Sequence, residues 1–111
     1  MIRIIITALE DAKAEDITSI DLAGKSSFAD YMVVATGRVD RHVGAIADRV
    51  VKALKDNGVS GVRVEGEQTC EWVLVDAGDV IVHVFKPDAR VFYNIEKLWS
   101  ADRPKDGRGG E

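Results

Sequence analysis

At 111 residues, with 46% hydrophobic and 31% charged positions, the chain has the make-up of one soluble globular domain. Its formal net charge of −4 argues against a protein that grips nucleic acid through phosphates and suits a basic protein partner instead. A single cysteine, Cys70, forbids an internal disulfide, and the early apolar run Ile4-Ile5-Ile6 is too short for a signal core or membrane span, so cytoplasm is the expected location.

Residues 2–13 place Ile2, Ile6, Leu9 and Lys13 on one stripe with Ile5 and Ala12 beside it, which predicts a short amphipathic helix. Asp16 to Leu22 reads as a strand, Gly24 to Ser27 as a turn, and Tyr31 to Thr36 as a second strand closed by Gly37. The clearest helix covers 39–57, where Val43, Ile46, Ala47, Val50 and Leu54 recur at helical spacing. Asp40 suits its start, Lys52 and Lys55 its closing turns, and Asn57-Gly58 its stop. A short strand at Val62 to Val64 follows. Two strand-like runs, Glu71 to Asp76 and Asp79 to Phe85, then flank Ala77-Gly78, which predicts a tight hairpin. Pro87 opens a last helix with Val91, Ile95 and Leu98 as its apolar stripe and Phe92 and Trp99 alongside. Residues 1–99 thus form the expected domain, and 100–111, rich in glycine and charge, a disordered polar tail. The order α-β-β-α-β-β-β-α predicts an α+β (mixed α/β) fold, with a mixed sheet of about five strands and flanking helices.

With Ala77 and Gly78 as the loop, counting back from the turn sets Asp76 opposite Asp79 and Val75 opposite Val80. The same count sets Leu74 opposite Ile81, Val73 opposite Val82 and Trp72 opposite His83. One face is all valine, as a sheet under helices requires. The other carries Trp72, Leu74, Asp76, Asp79, Ile81, His83 and Phe85. This second face is either covered in its turn, as in a strand buried on both sides, or it binds a partner. Facing carboxylates repel unless a cation or a basic partner sits between them, so Asp76 and Asp79 favour the partner-binding reading, with service to the turn by one of them as the structural alternative. Tryptophan and its apolar neighbours would supply the contact area. Tyr93, Arg90 and the Asp30-Tyr31 strand are candidates to extend the patch.

Catalytic patterns fail one by one. Gly24-Lys25-Ser26 resembles the end of a phosphate loop, but Ser19 stands where the motif needs glycine. A nucleotidyl-transferring strand needs two carboxylates at i and i+2 to hold Mg²⁺, and Asp30 is followed by Met32. Glu65 and Glu67 have that spacing only around Gly66, in an expected loop. His42 and His83 come from different elements with no Cys/His cluster, so no metal site is expected, nor any other cofactor. His83 is expected as an interface histidine, His42 as a solvated one and Cys70 as a buried inert thiol.

The chain resembles the ribosomal silencing factor family, also called iojap-like proteins. The matching stretches are Lys13 to Ile17 leading to Ile20-Asp21-Leu22, then Ser27-Phe28-Ala29-Asp30-Tyr31 onward to Gly37. Arg41-His42-Val43 and Ile46-Ala47 follow, then Trp72 to Phe85, and finally Phe92 to Trp99, all in the family's order. The resemblance implies a nucleotidyltransferase-like fold that has lost its catalytic carboxylates, and hence no enzymatic activity. It also implies binding to protein number fourteen of the large ribosomal subunit. A protein placed there keeps the small subunit off and represses translation when nutrients are scarce, with little direct nucleic-acid contact and no membrane. Ala77 is a departure, since the family often has a larger residue there. Two rivals remain open at this point: a nucleotidyltransferase-like enzyme that retains transfer activity, and a homodimer pairing through the same face.

Overall fold

A strand that is apolar on both faces must be covered on both sides, and Tyr31–Thr36 is such a strand: Met32 to Ala35 are all buried. The computed structural model describes residues 1–25, 27 and 29–99. In chain order the elements are α1 (Ile2–Asp11), β1 (Glu15–Asp21), β2 (Tyr31–Thr36), α2 (Asp40–Asp56), β3 (Arg63–Glu65), β4 (Trp72–Asp76), β5 (Val80–Phe85), α3 (Pro87–Tyr93) and α4 (Ile95–Trp99). The strands form one sheet in the order β1-β2-β5-β4-β3. β2 and β5 run parallel and every other neighbouring pair runs antiparallel, so the sheet is mixed. The long connection that parallel neighbours require carries α2. The expected α+β class and its sheet of about five strands are therefore what the chain adopts. The expected tail at 100–111 and the side chains of Leu98 and Trp99 lie outside the described residues.

α1 and α2 cover one face. Ile5, Ala8 and Leu9 join Val43, Ile46, Ala47, Val50 and Leu54 over Val33, Ala35, Val73, Val75, Val82 and Val84. The α2 stripe is the one its spacing predicts. The α1 stripe is rotated: Ile5, Ala8 and Leu9 are buried, Ile2 and Ile6 only half so, and Lys13 is exposed beyond the helix end. The cause is an early stop, in which the Ala14 N–H reaches the Leu9 carbonyl and the Lys13 N–H that of Glu10. Lys13 takes the left-handed conformation (φ 63°) that such a nested cap requires. His42 then ties the α1 end to the start of α2. Its Nδ1 accepts from the Arg38 N–H at 3.0 Å, and its Nε2 faces the Ala12 carbonyl at 3.0 Å. The solvated role expected for His42 is thus corrected to a half-buried connector.

The hairpin register differs from the expected one by two residues. Asp76 pairs with Ile81, Leu74 with His83, Val73 with Val84 and Trp72 with Phe85. The loop is Gly78-Asp79, because the Ala77 N–H still donates to the Val80 carbonyl at 3.0 Å. Ala77 is small and apolar and lies on the valine face, so extending the ladder buries it. Gly78 is left at the first loop position, where φ is +89°. Because the shift is even, each side chain keeps its expected face. Asp76 and Asp79, however, no longer oppose one another, and the repulsion argued for them does not arise.

A further correction concerns the last helix. It breaks at Asn94, whose left-handed backbone (φ 46°, ψ 46°) caps α3 and lets α4 start in a new direction. The expected stripe is split accordingly: Ile95 packs inward, while Val91 is 79% exposed.

Candidate functional site

The second face of the sheet is built from alternate residues of β4 and β5. Met32, Val34 and Phe85 form a small core there with Leu22 and Ala29, and Trp72, Ile81, Ala89 and Ile95 pack against it. This face is therefore neither bare nor sealed. Phe85 is fully buried and His83 is 7% exposed, so these two form a floor. Trp72, Leu74, Asp76 and Ile81 are half-buried and open to a partner, and Asp79 is exposed at the hairpin tip.

Trp72 organises the floor. Its ring stacks on Phe85 at 5.0 Å between centroids and meets Tyr93 at 4.7 Å. Its Nε1–H donates to His83 Nδ1 at 2.9 Å. Tryptophan only donates, so Nδ1 must hold a lone pair and the neutral imidazole keeps its proton on Nε2. Burial agrees, because desolvation pushes His83 down to about 4 and leaves it uncharged at neutral pH. Its Nδ1 lone pair is committed, so the ring serves as a positioned wall of the patch.

The acidic rim has a different geometry from the one expected. Asp76 spends one carboxylate oxygen on the Gly78 N–H at 2.9 Å and turns the other to Arg63 at 3.4 Å, so it serves the turn and the neighbouring strand. Asp79 stands beside Asp30, since its carbonyl accepts from the Asp30 and Tyr31 N–H groups at 2.7 and 3.2 Å. Asp30 and Asp79 are both exposed at this end of the sheet, where Asp21 is exposed as well.

The C-terminal helices complete the site, and a single arginine holds them. Arg90 donates to both Glu96 carboxylate oxygens at 2.8 and 3.0 Å, to the Asp16 carbonyl at 2.7 Å, and to Thr36 Oγ1 at 2.6 Å. A longer bond reaches Thr18 Oγ1 at 3.3 Å. The guanidinium holds the Glu96 carboxyl below its ordinary value, chiefly through the hydrogen bond. Arg90 therefore faces β1 and β2 rather than the patch, and what it delivers is Tyr93. Phe92, expected inside, lies 79% exposed beside Tyr93 and was missed as a site residue. Asn94 was the available signal, since an asparagine late in a helical pattern is a usual left-handed cap.

Among the described residues no group of three or more His, Cys, Asp or Glu could hold a metal ion. Met32 fills the position of the missing carboxylate and is buried. Cys70 is half-buried with its Sγ 3.0 Å from the Glu67 carbonyl. No described helix is long and apolar enough to cross a membrane.

Comparison with known proteins gives the chain a family. Residues 1–109 match the family model described as ribosomal silencing factor during starvation. The ribosomal silencing factor of Chromobacterium violaceum is 47% identical over 102 residues, which cover 92% of this chain and 84% of that protein. A crystal structure of a Chromobacterium violaceum protein has 46% identity and a TM-score of 0.87, covering 96% of this chain and 89% of the other. More distant is the mitochondrial assembly of ribosomal large subunit protein 1 of Mus musculus, 31% identical over 102 residues. That match covers 89% of this chain and 45% of the mouse protein. The chain belongs to the ribosomal silencing factor family.

Proposed function

We propose that this protein is a cytoplasmic ribosomal silencing factor that acts by occupancy and without chemistry. It docks on the large ribosomal subunit, at protein number fourteen of that subunit, and keeps the small subunit from joining. Translation is thereby repressed when nutrients are limiting. A ligand that binds only the free large subunit draws the subunit equilibrium toward it by mass action, so no catalytic group is required.

The observation that carries this reading is the half-open aromatic face in a chain of this family. Trp72, Leu74, Ile81 and Tyr93 provide apolar contact area over the His83 and Phe85 floor, and Asp76 and Asp79 mark one end of it with negative charge. Tryptophan and tyrosine in a partly desolvated setting are the residue types that dominate binding energy at interfaces. A large-subunit partner is further supported by the name of the mouse relative, which refers to assembly of that subunit. A second copy of the chain is the competing occupant of the same face.

Sedimentation with separated ribosomal subunits is the test. The protein should travel with the large subunit and not the small one, and its addition should lower the yield of joined ribosomes. Failure to travel with large subunits at micromolar concentration would remove the reading. Light scattering of the protein alone shows whether a dimer competes.

A further inference from the structure

The outer side of α3 is left without a covering. Val91 and Phe92 are each 79% exposed and Tyr93 45%, a run of three consecutive exposed large hydrophobic residues. Beside it opens a cleft of about 420 Å³ lined by Glu71, Lys86, Asp88, Ala89, Phe92 and Tyr93. Two aromatic rings, perpendicular at 5.1 Å, form one wall. Its charges are two carboxylates and one ammonium, and that ammonium is already matched, since Lys86 Nζ lies 2.8 Å from Asp40. Glu71 and Asp88 form no close ion pair among the described residues and share only the longer-range field of that same Lys86.

We infer that this cleft receives an arginine side chain from a basic protein partner. The chemistry selects the guest. A phosphate meets two carboxylates against one ammonium that Asp40 already engages, and a purely apolar side chain leaves that excess negative charge uncompensated. A guanidinium satisfies both features, because it pairs in its plane with carboxylates and stacks by its face on an aromatic ring. An ammonium matches the charge but stacks poorly, so arginine is preferred over lysine. Tyr93 belongs to this wall and also packs on Trp72, so the cleft continues the face proposed for docking. The identity of the partner as ribosomal rests on that proposal, whereas the affinity of the cleft for arginine does not.

Nuclear magnetic resonance on the full chain separates the two. Titration with Nα-acetyl-arginine amide should shift the backbone amides of 71 and 86–93. The neutral isostere Nα-acetyl-citrulline amide should bind about tenfold more weakly or less, as expected for loss of one charge-assisted hydrogen bond. Glu71→Gln with Asp88→Asn should abolish the arginine shifts while the rest of the spectrum stays in place. Phe92→Leu, which keeps an apolar side chain, should weaken them. Equal shifts from the two probes, or shifts that survive the double substitution, overturn the inference.

Sedimentation then tests the partner. If the wild-type protein travels with large subunits and the double variant does so equally well, the cleft is not used and the inference fails while the docking proposal stands. If arginine binds but the wild type does not travel, the docking proposal fails and the cleft remains. A concentration-dependent dimer abolished by the double substitution would assign the guest to a second copy and overturn the partner named here. Arg103→Ala, Lys105→Ala and Arg108→Ala together, if they move the cleft amides in the free protein, would assign it to the chain's own end and likewise overturn it.

Discussion

His83→Phe keeps a ring in the buried slot between Trp72 and Phe85 but removes the group that titrates. Burial lowers the imidazole from 6.5 to about 4, so the folded protein refuses a proton that the unfolded chain accepts. At about 1.4 kcal/mol per pH unit this difference amounts to about 3 kcal/mol. The sign follows from proton counting. Between pH 6.5 and about 4 the unfolded state binds the additional proton, so stability rises with pH across that window. The contribution is fully present above pH 6.5 and is lost as pH falls to about 4. Protonation at Nδ1 also removes the acceptor used by Trp72, so charge and hydrogen bond are lost together. At neutral pH the variant lacks only that hydrogen bond, a loss of about 1 kcal/mol. Urea unfolding followed by circular dichroism, at about pH 7.5 and about pH 4, measures both quantities. Carboxylates that weaken the fold in acid do so in both proteins and cancel in the comparison. The variant should therefore lose about 3 kcal/mol less than the wild type on acidification. Parallel losses in the two proteins would refute the argument and show that His83 is not held neutral by burial.

Other substitutions probe the remaining parts of the face. Trp72→Ala should weaken large-subunit binding by about 2 kcal/mol, and unchanged co-sedimentation would take the aromatic patch out of the docking surface. Asp79→Lys should weaken the same binding and flatten its salt dependence without lowering stability, since its side chain is exposed and makes no hydrogen bond or ion pair among the described residues. Gly66→Ala should cost about 2 kcal/mol or more, read as a lowered Tm. Gly66 has φ +90°, and an added Cβ there would collide with the Trp72 carbonyl oxygen. Arg90→Met should cost about 3 kcal/mol and speed amide exchange across residues 87–97. Arg90→Lys should recover little, because an ammonium cannot serve Glu96, Asp16 and Thr36 at once.

The two faces of the hairpin were legible in the sequence because strand alternation has a period of two, and an error in the turn that shifts register by two leaves every side chain on its face. Identifying which pairs stand opposite was harder. That depends on whether Ala77 gains more from burial on the valine face than from serving in the loop, and a short window cannot weigh that gain. The same limit explains α1. Its periodic pattern ran through Ala12 and Lys13, yet the helix stops where Ala14 bonds back to Leu9, and an early stop turns the buried side toward Ile5 and Ala8. α2, with a long stripe and signals at both ends, left no such freedom.

The part of the site that lies farthest from sequence pattern is its C-terminal wall. Val91, Ile95 and Leu98 have helical spacing, and one continuous helix would have turned Val91 toward the sheet. Arg90 decides otherwise, through bonds to residues up to 74 positions away in the chain. Its guanidinium, mostly buried against β1 and β2, fixes the rotation of α3, and that rotation puts Tyr93 on Trp72 and leaves Val91 and Phe92 outside. Asn94 then absorbs the change of direction, so that Ile95 can cover the small core and Glu96 can return to Arg90. The face proposed for docking is thus the joint product of a local alternation in β4 and β5 and a long-range clamp. Removing the clamp should blunt partner binding even though Arg90 itself faces away from the partner.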